Sequence, residues 1–482
     1  MKNKAQYIES LRKMKPVVYH MGKLVESVPD YELFTPHLNS VGLTYDMALQ
    51  PEGEQLLSVY SPLIQQKINR FTHIHETSDD LVKKVKALRL LGQKTGACFQ
   101  RCVGWDALNT SYSTTWEMDK KYGTEYHTRF KKFLEYVQKE DLMLAGAMTD
   151  VKGDRSLRPG LQADPDLFVH IVDKNDKGLV VRGAKAHMTG MVNSHEMLVM
   201  PTMALTEEDK DYAVSFAIPV DTKGVVHVFG RQTNDTRRFE PGSIDKGNVI
   251  YGMVGGECLT IFNDVFVPWE RVFMCGEVEF ASMLVDRFAT LHRQNYGGCK
   301  TGVADVIIGA AAALADYQGT NNVSHIRDKL VEMTFLTEDL YCASIACSTE
   351  SHPTPSGAFM ANPMLANVVK QSITRNIYEI CRIAHDISGG LLATMPSEAD
   401  INNPDIGPSI LKYLKGRDGV PAESRIRMLR LMETLTGGTS LAESMHGAGS
   451  PQAQRILIYR NANLKHKIGL AEFLAGVSDK EP

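Results

Sequence analysis

The sequence predicts an α+β chain with a helical N-terminal domain over 1–140, a β-barrel over 141–280 and a helical C-terminal bundle over 281–482. Three observations carry that expectation. Apolar residues recur at a helical period up to about residue 140, short β-type runs follow, and four long amphipathic segments close the chain. With 482 residues there is chain enough for two or three domains and a large core.

In the first region Leu81, Val82, Val85, Leu88 and Leu91 fall at helical spacing, and Asp79-Asp80 suit a helix N-terminus. In the second, LFVHIVDKNDKGLVVRGAKAH reads as two strands about a polar turn. LVMPTMAL, YAVSFAIPV, GVVHVFGRQ and CLTIFNDVFVP continue a series of about seven or eight strands. In the third, helices are expected over 287–317, 321–350, 363–388 and 421–438, broken at SHPTPSG and MPSEADINNPDIGPS. Four such helices imply a four-helix bundle.

Composition excludes several functions. The chain is 43% apolar and 23% charged with a net charge of −4, so no strong field points to nucleic acid or an anionic membrane. The N-terminus is charged and lacks the apolar stretch of a signal peptide. The longest apolar run, Val306 to Tyr317, is too short to span a bilayer. A cytoplasmic protein that contacts neither membrane nor nucleic acid is expected. Eight cysteines in such a chain are not a disulfide framework, and Cys258, Cys275, Cys342, Cys347 and Cys381 read as core thiols.

The remaining cysteines carry the chemistry. Cys98 and Cys102 are four apart in GQKTGACFQRCVGWDAL, and His292 and Cys299 are seven apart in RFATLHRQNYGGCKTGVADV. Read as helices, each segment returns its two ligands to one face. Either pair alone reads as buried core residues. Tyr296 falls on the same face as His292 and Cys299, and Lys300 adds a cation beside the thiols. Gly297 and Gly298 together cost about 2 kcal/mol against alanine unless a close approach needs them. A Cys3His set suits zinc or an iron–sulfur cluster by ligand count, and the spacings are not those of a zinc ribbon or knuckle.

Four other segments have chemical potential. DLMLAGAMTDVKGDRS, with Met148, Thr149, Asp150, Asp154 and Arg155, reads either as a helix-to-strand connection or as a flavin cradle with Arg155 at phosphate. No G-x-G-x-x-G follows a strand, which disfavours a Rossmann site. His187 and Thr189, two apart in an extended stretch, are expected on one side. Glu257 precedes an alternating strand; buried there, it would have a raised pKa and serve in proton transfer. Glu443 and His446 lead into a Gly447-Ala448-Gly449 loop before Ser450-Pro451, a helix N-terminus suited to anions.

These motifs bring in a family. LLGQKTGACFQRCVG, GAMTDVKGDR, RQNYGGCK, TMPSEAD and ESMHGAGSPQAQRI resemble the 4-hydroxybutyryl-CoA dehydratase family, related to 4-hydroxyphenylacetate 3-monooxygenases and in fold to acyl-CoA dehydrogenases. The resemblance implies FAD and a 4Fe-4S cluster, with Cys98, Cys102, His292 and Cys299 as cluster ligands. It implies flavin contacts from the GAMTDVKGDR segment, His187 and Thr189. Glu443, Glu257, Tyr296, Lys300 and His292 are then the catalytic set. It further implies an acyl-CoA substrate, dehydration of 4-hydroxybutyryl-CoA to crotonyl-CoA with vinylacetyl-CoA isomerisation, and a homotetramer. Met188 departs from the family's glutamine, and the stretch before Glu443 is shorter. A homologue acting on another acyl-CoA, a flavin monooxygenase whose cysteines are core, and a zinc-stabilised binding protein are the alternatives.

Overall fold

The computed structural model describes residues 1–233, 235–252 and 255–481. Its strands form two principal sheets, made of β1 (Val18–His20), β2 (Lys23–Leu24), β3 (Leu144–Ala147), β4 (His170–Lys174), β5 (Gly178–Met188), β6 (Glu196–Val199), β7 (Val214–Pro219), β8 (Val225–Phe229), β9 (Cys258–Pro268) and β10 (Val272–Cys275). The larger has the order β2-β1-β8-β9-β5-β4 and the smaller β10-β7-β6-β3. Pairing is antiparallel except for β1 with β8 and β3 with β6.

The expected barrel is therefore corrected. Closure requires the first and last strands to pair, and among the described residues β2 and β4 end one sheet while β10 and β3 end the other. The N-terminal region is not wholly helical either. β1 and β2 join the larger sheet, and Ser58–Ser61 pairs with Gln66–Asn69 in a separate hairpin.

Seven helices matter for the site: α1 (Ser78–Thr95), α2 (Cys102–Tyr122), α3 (Val278–Tyr317), α4 (Ser324–Thr349), α5 (Pro363–Ser388), α6 (Ala422–Leu435) and α7 (Gly438–His446). α3, α4 and α5 pack on one another, α6 lies on α3, and α1 from the N-terminal region packs on α3 and α4. α3 is long and apolar enough by composition to cross a membrane, but most of its apolar stretch is buried inside this packing.

The glycine pair on α3 explains the closeness. A Cβ on Gly298 would lie 2.6 Å from the Val85 carbonyl oxygen of α1, one on Gly302 2.2 Å from that of Arg89, and one on Gly297 2.2 Å from Ser344 Cβ of α4. The helix-propensity penalty is thus offset by close contact with the α1 backbone on one side and the Ser344 side chain on the other.

Two apolar cores result. Phe280, Leu284 and Phe288 of α3 join the core that holds the sheets, while Leu291, Tyr296 and Val303 join the helical core. α1 divides likewise, with Leu81 in the helical core and Leu88 and Leu91 in the other. The residues singled out on α3 lie along this seam.

Candidate active site at the seam of two cores

His292, Tyr296, Cys299 and Lys300 occupy successive turns on one face of α3, as their spacing predicts. The Cys98–Cys102 pair has a different origin from the one expected. α1 stops at Thr95, Gly96 takes a left-handed C-cap at φ 55°, and Cys98 lies in the link before α2 starts at Cys102. The Gly96 stop signal overrides the helical reading of that segment.

The link nonetheless brings the thiols together. Cys102 lies in the electrostatic field of both Cys98 and Cys299. Burial pushes all three thiols up, Cys299 to about 11. Left to themselves they are neutral; a bound cationic centre would reverse that preference and bind them as thiolates. Among the described residues no three His, Cys, Asp or Glu groups converge tightly enough for a single metal ion. The four ligands of one zinc, each about 2.0–2.3 Å from the metal, would have to converge that tightly, so a closed zinc site does not fit. Three thiols, Cys102 buried and Cys98 and Cys299 half-buried, with one imidazole are by type the donors of an iron–sulfur centre.

His292 is held from behind. Its Nδ1 lies 2.8 Å from Asp106 Oδ2, its ring stacks on Phe288 at 5.3 Å, and Tyr296 meets it edge-on at 5.9 Å. Glu443 of α7 faces this group from the C-terminal side. Tyr296 Oη donates to its Oε1 at 2.9 Å, and Lys300 Nζ donates to Oε2. Burial would raise the Glu443 carboxyl, but Lys300, Lys370 and the tyrosine hydrogen bond hold it below the usual range. α7 ends against Tyr296: a Cβ on Gly447 would lie 1.8 Å from the phenol oxygen.

Lys370 of α5 reinforces that end. Its Nζ sits 4.0 Å from the Tyr296 ring centroid and donates to the Ser444 and Met445 carbonyls at the close of α7. Burial lowers this amine to about 7. Arg293, buried on α3, donates to the Ala448 carbonyl at 3.0 Å and to Asn367 Oδ1 at 2.6 Å, fixing the loop after α7.

Glu257 approaches from the sheet side. Thr189 Oγ1 donates to its Oε2 at 2.7 Å, and its Oε1 is shielded from water without a partner. Burial pushes this carboxyl up to about 8 despite the threonine. A Cβ on Gly255 would lie 2.2 Å from Thr189 Cγ2, 3.3 Å from Cys98 Sγ and 3.3 Å from Glu257 Oε1, so these three line one space. Two carboxyls are thus tuned apart: Glu257 held protonated, Glu443 held ionised. Such a split assigns an acid and a base.

The predicted flavin segment is mixed in character. Asp150 is buried and consumed internally: Lys185 Nζ lies 2.9 Å from its Oδ1, which also accepts from Val169 N at 3.0 Å. These contacts anchor the segment to β5 and to the start of β4. Met148 and Thr149 are half-buried, while Asp154 and Arg155 are exposed. Asp154 accepts from the Ser156 backbone and hydroxyl in a local turn.

His187 and Thr189 do not share a side by strand alternation. β5 carries an extra residue opposite Cys258 and Thr260, and His187 stands there at φ 61°. His187 is exposed, and Lys152 and His446 lie within its electrostatic reach, so β5 and the end of α7 approach each other.

Residues 3–274 match the family described as 4-hydroxyphenylacetate 3-hydroxylase N terminal, and residues 281–476 its C-terminal counterpart. The chain is 53% identical to the 4-hydroxybutyryl-CoA dehydratase/vinylacetyl-CoA-Delta-isomerase of Clostridium aminobutyricum, over 98% of this chain and 99% of that one. The chain belongs to the 4-hydroxybutyryl-CoA dehydratase family. A solved structure of the oxygen-tolerant archaeal 4-hydroxybutyryl-CoA dehydratase from N. maritimus superposes with a TM-score of 0.97 at 52% identity, covering 100% of this chain and 96% of that one. The fold extends to the oxygenase component of 4-hydroxyphenylacetate 3-monooxygenase, solved with FAD and 4-hydroxyphenylacetate, at 24% identity, TM-score 0.86 and 99% coverage of both chains.

Within this dehydratase-family site, three residues escaped the sequence reading. Asp106 follows Cys102 by one helical turn and was open to the same periodicity argument. Lys370 lies in no motif, Arg293 opens RQNYGGCK without a spacing partner, and the groups both contact are distant in sequence. Among the cysteines read as core, Cys258, Cys347 and Cys381 are buried and Cys275 is half-buried, but Cys342 is exposed. Its offset of five from Cys347 turns it to the opposite side of α4.

Proposed function

We propose that this chain dehydrates 4-hydroxybutyryl-CoA to crotonyl-CoA and isomerises vinylacetyl-CoA, using FAD and a 4Fe-4S cluster. The single observation that carries the reading is the grouping of three thiols, His292 and two oppositely tuned carboxyls at one seam. The full-length identity to an enzyme of that name supports it. Cys98, Cys102, Cys299 and His292 would hold the cluster. Met148, Thr149, Arg155, His187 and Thr189 would meet the flavin, with Asp150 and Asp154 shaping that segment.

The reaction is difficult because the C2 proton beside the thioester is only moderately acidic, the C3 proton is not acidic, and the C4 hydroxyl leaves poorly. When bound, the flavin supplies one-electron chemistry that acidifies C3, and the iron centre supplies Lewis acidity for the hydroxyl. The chain's residues handle the protons. Glu443, ionised between Lys300 and Tyr296, is the base; Glu257, protonated at neutral pH, is the donor on the opposite side. Tyr296 Oη can return a proton through its bond to Glu443. Isomerisation needs the same C2 chemistry without a leaving group.

Association of identical chains fits the exposed helix Leu464–Leu474, whose Leu464, Ile468, Leu470 and Leu474 face outward, and we propose a homotetramer. Anaerobically purified protein should convert 4-hydroxybutyryl-CoA to crotonyl-CoA, followed at the thioester enone absorbance. Protein carrying both cofactors yet inert toward 4-hydroxybutyryl-CoA and vinylacetyl-CoA would sink the substrate assignment.

A further inference from the structure

Behind His292 lies a buried polar cluster built from three helices. Asp106 of α2 and Lys84 of α1 are both wholly inaccessible to solvent. Lys84 Nζ donates to Asp106 Oδ1 at 2.6 Å, and its other contacts are the Leu291 carbonyl at 3.2 Å and Gln294 Oε1 at 3.4 Å, which accounts for its three protons. Asn295 Nδ2 donates to Asp106 Oδ2 at 2.5 Å, the same oxygen that lies 2.8 Å from His292 Nδ1. Asp106 is thus an acceptor to each neighbour. Asn295 Nδ2 also lies 3.3 Å from His292 Nδ1, but the carboxylate contact at 2.8 Å is the shorter, and a carboxylate only accepts, so that imidazole carries its proton on Nδ1. Among the described residues no hydrogen bond reaches His292 Nε2, so that nitrogen keeps its lone pair.

We propose that Asp106 is a positioning residue that locks His292 as the Nδ1-protonated tautomer, presenting Nε2 as the iron donor and tying it to the helix that carries Cys102. The inference rests on the cluster reading above and deepens it. Lys84 and Asn295 hold the carboxylate in place, so the imidazole cannot rotate without breaking a network that has no access to water. Because Asp106 follows Cys102 by one turn of α2, it also sets the separation of two of the four ligands. A carboxylate behind a metal-bound histidine raises the ligand's basicity and fixes its ring.

Asp106→Asn discriminates this role from that of a plain buried ion pair. An asparagine whose oxygen still accepts from Lys84 turns its amide N–H toward His292 Nδ1. That reverses the tautomer and places the proton on Nε2. The test compares anaerobic holoenzyme of wild type, Asp106→Asn and the charge-neutral pair Lys84→Met/Asp106→Asn, which guards against loss of fold through an unpaired Lys84. The readouts are iron and sulfide per chain, the rate of iron extraction by a chelator, and the cluster's reduction potential. Both variants should lose iron about 10- to 100-fold faster than wild type; the potential should shift upward most in Asp106→Asn, which loses a negative charge, and less in the pair, which loses one charge of each sign. Wild-type extraction rate and potential in a folded variant would overturn the inference alone. Wild-type protein devoid of iron and sulfide would overturn the cluster reading and this inference with it.

Discussion

The thiol–histidine face and the segment proposed to meet the flavin are built on opposite principles. On the first, the key polar groups have designated partners: Asp106 for His292, Glu443 for Tyr296 and Lys300, helix carbonyls for Lys370. The second ends in exposed Asp154 and Arg155, with one buried pair, Asp150–Lys185, as its anchor. The first half is dry, so proton affinities there are set by neighbours and can be tuned apart. The second is wet, with its charged side chains open to solvent. Chemistry that must control where a proton sits belongs in the dry half.

Substitutions on the dry side should have the largest effects. Glu443→Gln removes the ionised acceptor shared by Tyr296 and Lys300 and leaves the Lys300 cation without its partner. Turnover should fall by about a hundred- to ten-thousand-fold, read as kcat for dehydration with protein fold checked by circular dichroism. A variant within threefold of wild type would remove Glu443 from proton transfer.

Glu257 gives a pH signature. Its carboxyl titrates at about 8 in the folded chain against an ordinary 4.5. Activity should decline as pH rises through about 8, and Glu257→Gln should lose that alkaline limb along with much of its rate. Stability follows the same sign. The folded state retains a proton that the unfolded state has released, so Glu257 destabilises increasingly from about pH 4.5 to about 8. Glu257→Gln should therefore melt higher than wild type by a margin that widens across that window. A constant margin would contradict a raised carboxyl.

Lys370→Met frees the end of α7 while leaving every expected ligand in place. The Ser444 and Met445 carbonyls lose their donor, so kcat should fall by about tenfold with cofactor content unchanged. The order of magnitude follows from a buried hydrogen bond worth about 1 kcal/mol or slightly more. Arg155→Ala on the wet side should be the mildest. FAD affinity should weaken by about tenfold in a titration, with stability within about 0.5 kcal/mol of wild type.

The same division governs what the sequence reveals. His292, Tyr296, Cys299 and Lys300 were legible because a helix repeats its face, and the glycine pair because its propensity penalty demands a close neighbour. The Cys98–Cys102 grouping was legible for a mistaken reason, since Gly96 ends α1 and a link, not a helix face, presents Cys98. The strand segments were readable from alternation, but closure was not, because pairing partners at sheet edges leave no local pattern. His187 escaped the two-residue rule through a bulge. Lys370 owes its role to contacts across 74 residues, beyond any spacing argument, while Asp106 shares a helix face with Cys102 but meets His292 only across 186 residues.

Iron and sulfide in anaerobically purified Cys299→Ala, compared with wild type, test the dry half most directly. The account predicts iron and acid-labile sulfide in equal amounts in wild type. The variant should lose the cluster and dehydration together while keeping its helical circular dichroism. Full iron and sulfide occupancy in Cys299→Ala would contradict the ligand set.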